Sequence, residues 1–142
     1  MNFKDIHIGT LINQAVTDSG IEISRICNFM KCSENEVKKM YRKESLDTDI
    51  LLKWSKLLEY DFFRIYTQHL ILYAPSSANE KAEKQKSRKY SLPRFRKNIY
   101  TKDIIDFILE QMQTGAMTKK EIQQRYGIPK TTLYKWISKY RK

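Results

Sequence analysis

Toward the end of the chain the run Lys130-Thr131-Thr132-Leu133-Tyr134-Lys135-Trp136-Ile137-Ser138-Lys139-Tyr140 holds the side chains best suited to chemistry with an anion. Lys130, Thr131, Thr132, Tyr134, Lys135 and Lys139 offer ammonium and hydroxyl donors, the groups that pair with phosphate oxygens and with the edges of bases. Between them, Leu133, Trp136, Ile137 and Tyr140 recur at steps of three and four residues, the period of a helix with one apolar stripe. Such a helix would dock on a core by one side and present donors on the other. The competing reading is an amphipathic hairpin with an ordinary solvated basic face.

The preceding residues must hold this helix in place. Thr118 followed by Glu121 has capping-box spacing, so a helix is expected to open at Lys119, with Ile122 and Tyr126 on its apolar side. Gly127 sits where the chain must turn, and Ile128-Pro129 leads into the final helix, whose first turn tolerates a missing amide. Upstream, Thr101 is expected to cap a helix running to about Thr114, with Ile104, Ile105, Ile108 and Met112 apolar and Gly115 closing it. Asp103, Asp106 and Glu110 fall on its other side. Two helices flanking one tight turn, supported by a third, describe residues 99–142.

Within that region Glu121-Ile122, Tyr126-Gly127-Ile128 and Thr131-Thr132-Leu133-Tyr134-Lys135-Trp136 resemble the helix-turn-helix of insertion-sequence transposases and related resolvase-type DNA-binding domains. The resemblance implies that the last helix enters a DNA groove. It departs at Pro129, where the family more often carries a capping Ser or Thr.

The first 73 residues read as five short helices. Ile8, Leu11, Ile12, Ala15 and Val16 predict a helix from about Lys4 to Asp18, stopped at Ser19-Gly20. Glu22 to Met30 follows, with Ile23, Ile26, Cys27, Phe29 and Met30; Lys31-Cys32 is expected to make a turn, and Ser33 with Glu36 to cap a third helix bearing Val37, Met40 and Tyr41. A fourth, Asp49 to Glu59, is expected to start from Asp47 or Thr48, and a fifth to run from about Asp61 to Tyr73. With Ile8-Gly9, Gly20, Ile26-Cys27, Ser33, Val37 and Asp47-Thr48 at these intervals, this region resembles the lambda-repressor-like, Cro-type DNA-binding domain. The resemblance implies DNA contact by Asn35, Lys38, Lys39 and Arg42. Against it, Ile23 stands where the family has a phosphate-gripping Gln, and Glu34 and Glu36 open the helix that would meet the phosphates. Direct DNA contact and a module used for pairing or partner contact both remain open. The fifth helix is more apolar than a terminal helix requires, so its stripe is either core or a self-association surface, which would give a homodimer suited to DNA half-sites.

Residues 74–98 lose apolar periodicity and read as a basic linker or arm. Its second part interleaves Arg88, Lys89, Arg94, Arg96 and Lys97 with Tyr90, Leu92 and Phe95, a pattern that can follow a phosphate backbone or enter a narrow minor groove. A solvated tether is the alternative.

Charge distribution supports the same partition. The net charge is +11, yet residues 1–73 carry ten basic and ten acidic side chains, 74–98 carry eight and two, and 99–142 carry nine and four. All the excess lies after residue 73, the footprint of a polyanion binder, with double-stranded DNA the expected partner. No apolar run is long enough to span a bilayer, and the opening MNFKDIHIGTLINQ lacks the order of a secretory signal. A cytoplasmic, nucleoid-associated protein with no membrane partner is therefore expected.

No cofactor or metal site is expected. Cys27 and Cys32 are read as core and buried turn residues, and His7 and His69 lack a third ligand nearby in sequence. Nor is the chain expected to be an enzyme: strand-cutting transposases need three carboxylates around two metal ions on a mixed sheet, and no strand alternation occurs. The preferred reading is an all-α, two-bundle, sequence-specific DNA binder serving a mobile element, with catalysis supplied by a separate transposase subunit. A stand-alone transcriptional regulator and a protein-interaction module with a nonspecific basic tail are the alternatives.

Overall fold

The computed structural model describes residues 2–74, 92–93 and 99–140, and among these the regular structure is entirely helical. The elements are α1 (Ile8–Ser19), α2 (Ile23–Met30), α3 (Glu34–Tyr41), α4 (Thr48–Leu57), α5 (Phe63–Tyr73), α6 (Lys102–Gln113), α7 (Lys119–Tyr126) and α8 (Lys130–Tyr140). This is an all-α fold of small helical bundles. The chain divides into two compact units, Asn2–Thr67 and Gln68–Lys142, and the division falls inside α5.

In the N-terminal unit α1 packs on α3, and α2 packs on both α3 and α4. Ile8 and Ile12 from α1, Ile26 and Met30 from α2, Val37 from α3, Leu51 and Trp54 from α4, and Phe62 and Ile65 form the core, with Phe3 also buried. Helix α1 starts at Ile8, later than the expected Lys4, because local groups end it there. The His7 ring nitrogen accepts from the Thr10 amide at 3.2 Å. The Ile8 and Gly9 amides donate to the Glu44 and Lys43 carbonyl oxygens at 3.0 Å each, so amides that would lack intrahelical partners are satisfied by the chain leaving α3. A Cβ at Gly9 would lie 2.6 Å from the Tyr41 carbonyl oxygen, 2.7 Å from that of Lys43, and closer still to that of Met40. Glycine is thus required by close approach of α1 to the end of α3.

The turn between α2 and α3 is closed by Lys31 in the left-handed region, at φ 55°. Ser33 and Glu36 then form the expected capping box. Helix α4 begins at Thr48 after Asp47, whose side chain makes no capping bond, and ends at Leu57 rather than Glu59, since Glu59 itself adopts φ 51°. Trp54 is fully buried beside Tyr41, at a ring separation of 6.0 Å, and its indole N–H has no hydrogen-bond acceptor. Cys27 and Cys32, expected to be core and buried, are both half-buried free thiols. Partial burial, followed by the Glu36 carboxylate, pushes the Cys32 thiol up from its ordinary value.

In the C-terminal unit α8 packs on α6 and on α7. Ile104, Ile105, Ile108 and Leu109 from α6 join Ile122, Tyr126, Ile128, Leu133 and Trp136 in its core. The last residues of α5 belong to this unit as well, with Gln68, Ile71 and Leu72 buried and Leu70 and Tyr73 exposed. Gln68 explains why. Its amide nitrogen donates to the Ile99 carbonyl at 2.9 Å, and its Oε1 accepts from the Thr101 amide at 3.2 Å and from the Thr101 hydroxyl at 3.4 Å. Thr101 is the N-cap of α6 as expected, but its side chain makes no capping bond, being turned to Gln68 instead.

Gln68→Ala leaves the Ile99 carbonyl and the Thr101 amide without these partners. A loss of about 1 to 3 kcal/mol from the stability of the C-terminal unit is expected, the usual cost of stranding a shielded polar group. Thermal denaturation followed by circular dichroism checks it; an unshifted midpoint would mean that water replaces the side chain at no cost.

Candidate nucleic-acid interface

The helix-turn-helix of the C-terminal unit is built by short-range chemistry. The Thr118 hydroxyl accepts from the Glu121 amide at 3.3 Å while the Glu121 carboxylate accepts from the Thr118 amide at 2.6 Å, opening α7 at Lys119. The Thr118 amide, and after it the Thr118 hydroxyl, hold the Glu121 carboxyl below its ordinary value, so it stays ionised while committed to the cap. Gly127 at φ 61° turns the chain in the left-handed region. Ile128 inserts into the core, and the Pro129 carbonyl accepts the first bond of α8, from the Leu133 amide at 3.1 Å. Pro129 therefore lies just ahead of the helix, where its missing N–H costs nothing.

With Leu133 and Trp136 anchored, the opposite side of α8 faces solvent. Lys130, Thr131, Tyr134, Lys135 and Lys139 are exposed, while Thr132, expected on the same face, is half-buried because its position turns partly toward the core. Ser138, which the sequence reading passed over, is exposed; Thr131, Tyr134, Lys135 and Ser138 form a single stripe at i, i+3, i+4 and i+7. The seven-residue step from Thr131 was the signal for it. Lys119 was also missed: its ammonium lies 5.0 Å from the centroid of the Tyr134 ring, a contact between helices that periodicity within α8 does not disclose.

Ion pairing differs between the units. The pairs found among the described residues are Lys38 with Glu34 at 2.7 Å and Arg64 with Asp61 at 3.2 Å, both in the N-terminal unit. The described lysines of α7 and α8 thus carry their charge without a carboxylate partner. Asp103, Asp106 and Glu110 are exposed on α6.

On α3, Asn35, Lys38, Lys39 and Arg42 are all exposed, opposite buried Val37. The two acidic residues that open this helix are both engaged locally. Glu36 accepts from the Ser33 amide at 2.7 Å and from its hydroxyl at 2.9 Å, bonds that lower its carboxyl below the ordinary value, and Glu34 holds Lys38. Lys38 is consequently the least available of the three cations. Arg88, Lys89, Arg94, Arg96 and Lys97 lie outside the described residues.

No helix among the described residues is long and apolar enough to cross a membrane. Comparison with protein-family models, with curated proteins and with solved structures gives no match.

Proposed function

We propose that this chain binds double-stranded DNA in a sequence-specific manner, with α8 in the major groove. The observation that carries this reading is the exposed stripe Thr131, Tyr134, Lys135 and Ser138, flanked by Lys130 and Lys139 and free of carboxylate partners, on a helix held from behind by Leu133 and Trp136. A helix fits the width of the major groove, and a mixture of hydroxyl and ammonium donors suits base edges and phosphates together. The N-terminal unit offers Asn35, Lys39 and Arg42 as a second, weaker contact, its Lys38 being shared with Glu34. The transposase-type pattern of α7 and α8 supports a role as the non-catalytic recognition component of a mobile element, associated with the nucleoid and acting with a separate catalytic subunit. Pairing of two copies through the N-terminal unit would present two recognition helices to two half-sites.

Selection of bound duplexes from a random pool, followed by titration of the selected duplex over a range of salt, tests this reading. Lys135→Ala is expected to weaken binding by about tenfold and to make the log-log salt dependence shallower by about one phosphate contact, with an unchanged melting midpoint, because the side chain is exposed. Enrichment of no sequence, or a Lys135→Ala affinity equal to wild type, would remove α8 as the reading element.

A further inference from the structure

Two ammonium groups from different helices meet at one exposed aromatic ring. Lys119 Nζ, at the start of α7, is 5.0 Å from the centroid of the Tyr134 ring, and Lys130 Nζ, at the start of α8, is 5.7 Å from it. The two charges therefore lie at most about 11 Å apart, against a Debye length of about 8 Å at physiological salt, so salt screens part of their repulsion. Attraction of both cations to the face of the ring opposes that repulsion. No carboxylate relieves it: neither lysine is in an ion pair, and the acid of the first turn of α7, Glu121, is bound to the Thr118 amide. Tyr134 is 45% exposed, so the assembly is open to a ligand. Convergent, unneutralised ammonium groups with no directional acceptor between them suit an anionic oxygen, whereas a ring flanked by two cations is poorly placed to stack on a base.

We propose that Lys119, Tyr134 and Lys130 form a clamp for a phosphodiester of the DNA backbone, with Tyr134 as a positioning residue that gathers the two lysines and reads no base. This deepens the DNA-binding reading and rests on it. The clamp ties both helices of the helix-turn-helix to one strand, fixing the register in which Thr131, Lys135 and Ser138 face the bases.

The full-length chain and its Lys119→Met, Lys130→Met, Tyr134→Phe, Tyr134→Leu and Lys119→Met/Tyr134→Leu variants are titrated with a selected duplex and with a random-sequence duplex across a salt series. Each lysine variant is expected to weaken both duplexes by about three- to tenfold and to flatten the salt dependence by about one contact. Tyr134→Phe, which keeps the ring, should match wild type, and Tyr134→Leu should weaken both duplexes by about two- to fivefold. The double variant should lose less than the product of its single losses, since the ring acts through the lysine. In the free protein, ring-shifted signals of the Lys119 and Lys130 ε-methylene protons should persist in Tyr134→Phe and vanish in Tyr134→Leu. A loss confined to the selected duplex, or Tyr134→Phe as damaging as Tyr134→Leu, would overturn the clamp by making the hydroxyl a direct contact. Lysine variants that bind as wild type would overturn it while leaving the DNA reading intact; a wild-type chain that binds neither duplex would overturn both. Inorganic phosphate at matched ionic strength should not displace duplex. Displacement lost in the lysine variants would identify a free-phosphate site instead.

Discussion

Trp136→Ala is expected to unfold the C-terminal unit at temperatures where the wild-type chain is folded. Trp136 is only 8% exposed, lies one helical turn from fully buried Leu133, and makes a T-shaped pair with Tyr100, the ring centroids 4.9 Å apart. Truncation removes that aromatic pair and leaves a void that the short helices α6, α7 and α8 cannot collapse to fill. Loss of a large buried aromatic costs roughly 3 to 5 kcal/mol. A whole domain is stable by only about 5 to 15 kcal/mol, with small units toward the lower end, so the substitution removes most of what is there. Thermal and urea denaturation should show the C-terminal transition lost or shifted to far milder conditions, with DNA affinity falling in parallel. That pairing separates it from Lys135→Ala, for which affinity falls alone. A melting curve like that of wild type would place Trp136 outside the core and remove the anchor on which the orientation of α8 depends.

Gly9→Ala should be comparably severe in the N-terminal unit, although it adds a single methyl group. The three carbonyl oxygens that the new Cβ would meet, those of Met40, Tyr41 and Lys43, are backbone atoms at and just beyond the end of α3. No side-chain rotation relieves such contacts. Either α1 moves off α3, breaking the 3.0 Å bonds from Ile8 and Gly9 to Glu44 and Lys43, or the last turn of α3 deforms. The cost is expected to be about 3 kcal/mol, the upper part of the usual range for overpacking, because bond loss accompanies the clash. Gly20→Ala is the control: its Cβ meets nothing within 4 Å, and only the left-handed φ of 65° is penalised, by about 1 kcal/mol. Chemical denaturation of both variants checks the order. Equal midpoints would show that α1 can be displaced freely.

The features legible in the sequence were those written within a few residues. Both capping boxes, Ser33 with Glu36 and Thr118 with Glu121, join groups three residues apart, and Gly127 takes the left-handed turn that its position required. Leu133 and Trp136 were marked by period alone. Long-range chemistry was not legible. Gln68 reads as one polar residue on an apolar helix, and only its bonds to Ile99 and Thr101, more than thirty residues away, show why α5 is divided between the units. Among local features, the start of α1 was misplaced because an imidazole acts as its cap, whereas the turn expected at Lys31-Cys32 is where α2 ends, with Lys31 in the left-handed region although no glycine marks it. In the candidate interface, periodicity placed Lys130, Lys135 and Lys139 on the open side of α8, but it could not show that Lys119 reaches Tyr134 from another helix. It also set Thr132 too far outward. The fate of Glu34 and Glu36 was half visible: their spacing permits the pair to Lys38 and the cap at Ser33, yet charge counting alone treats both as free acids.

The chain has two tryptophans, Trp54 in one unit and Trp136 in the other. Trp54 is sealed from water with its N–H unbonded, so its fluorescence should sit at the blue end of the indole range and shift red only when the N-terminal unit opens. Trp136 keeps a little solvent contact, so its emission should lie further to the red than that of Trp54. Since each tryptophan has a tyrosine ring beside it, Tyr41 for Trp54 and Tyr100 for Trp136, emission wavelength and not excitation distinguishes the two units in one sample, with no label attached.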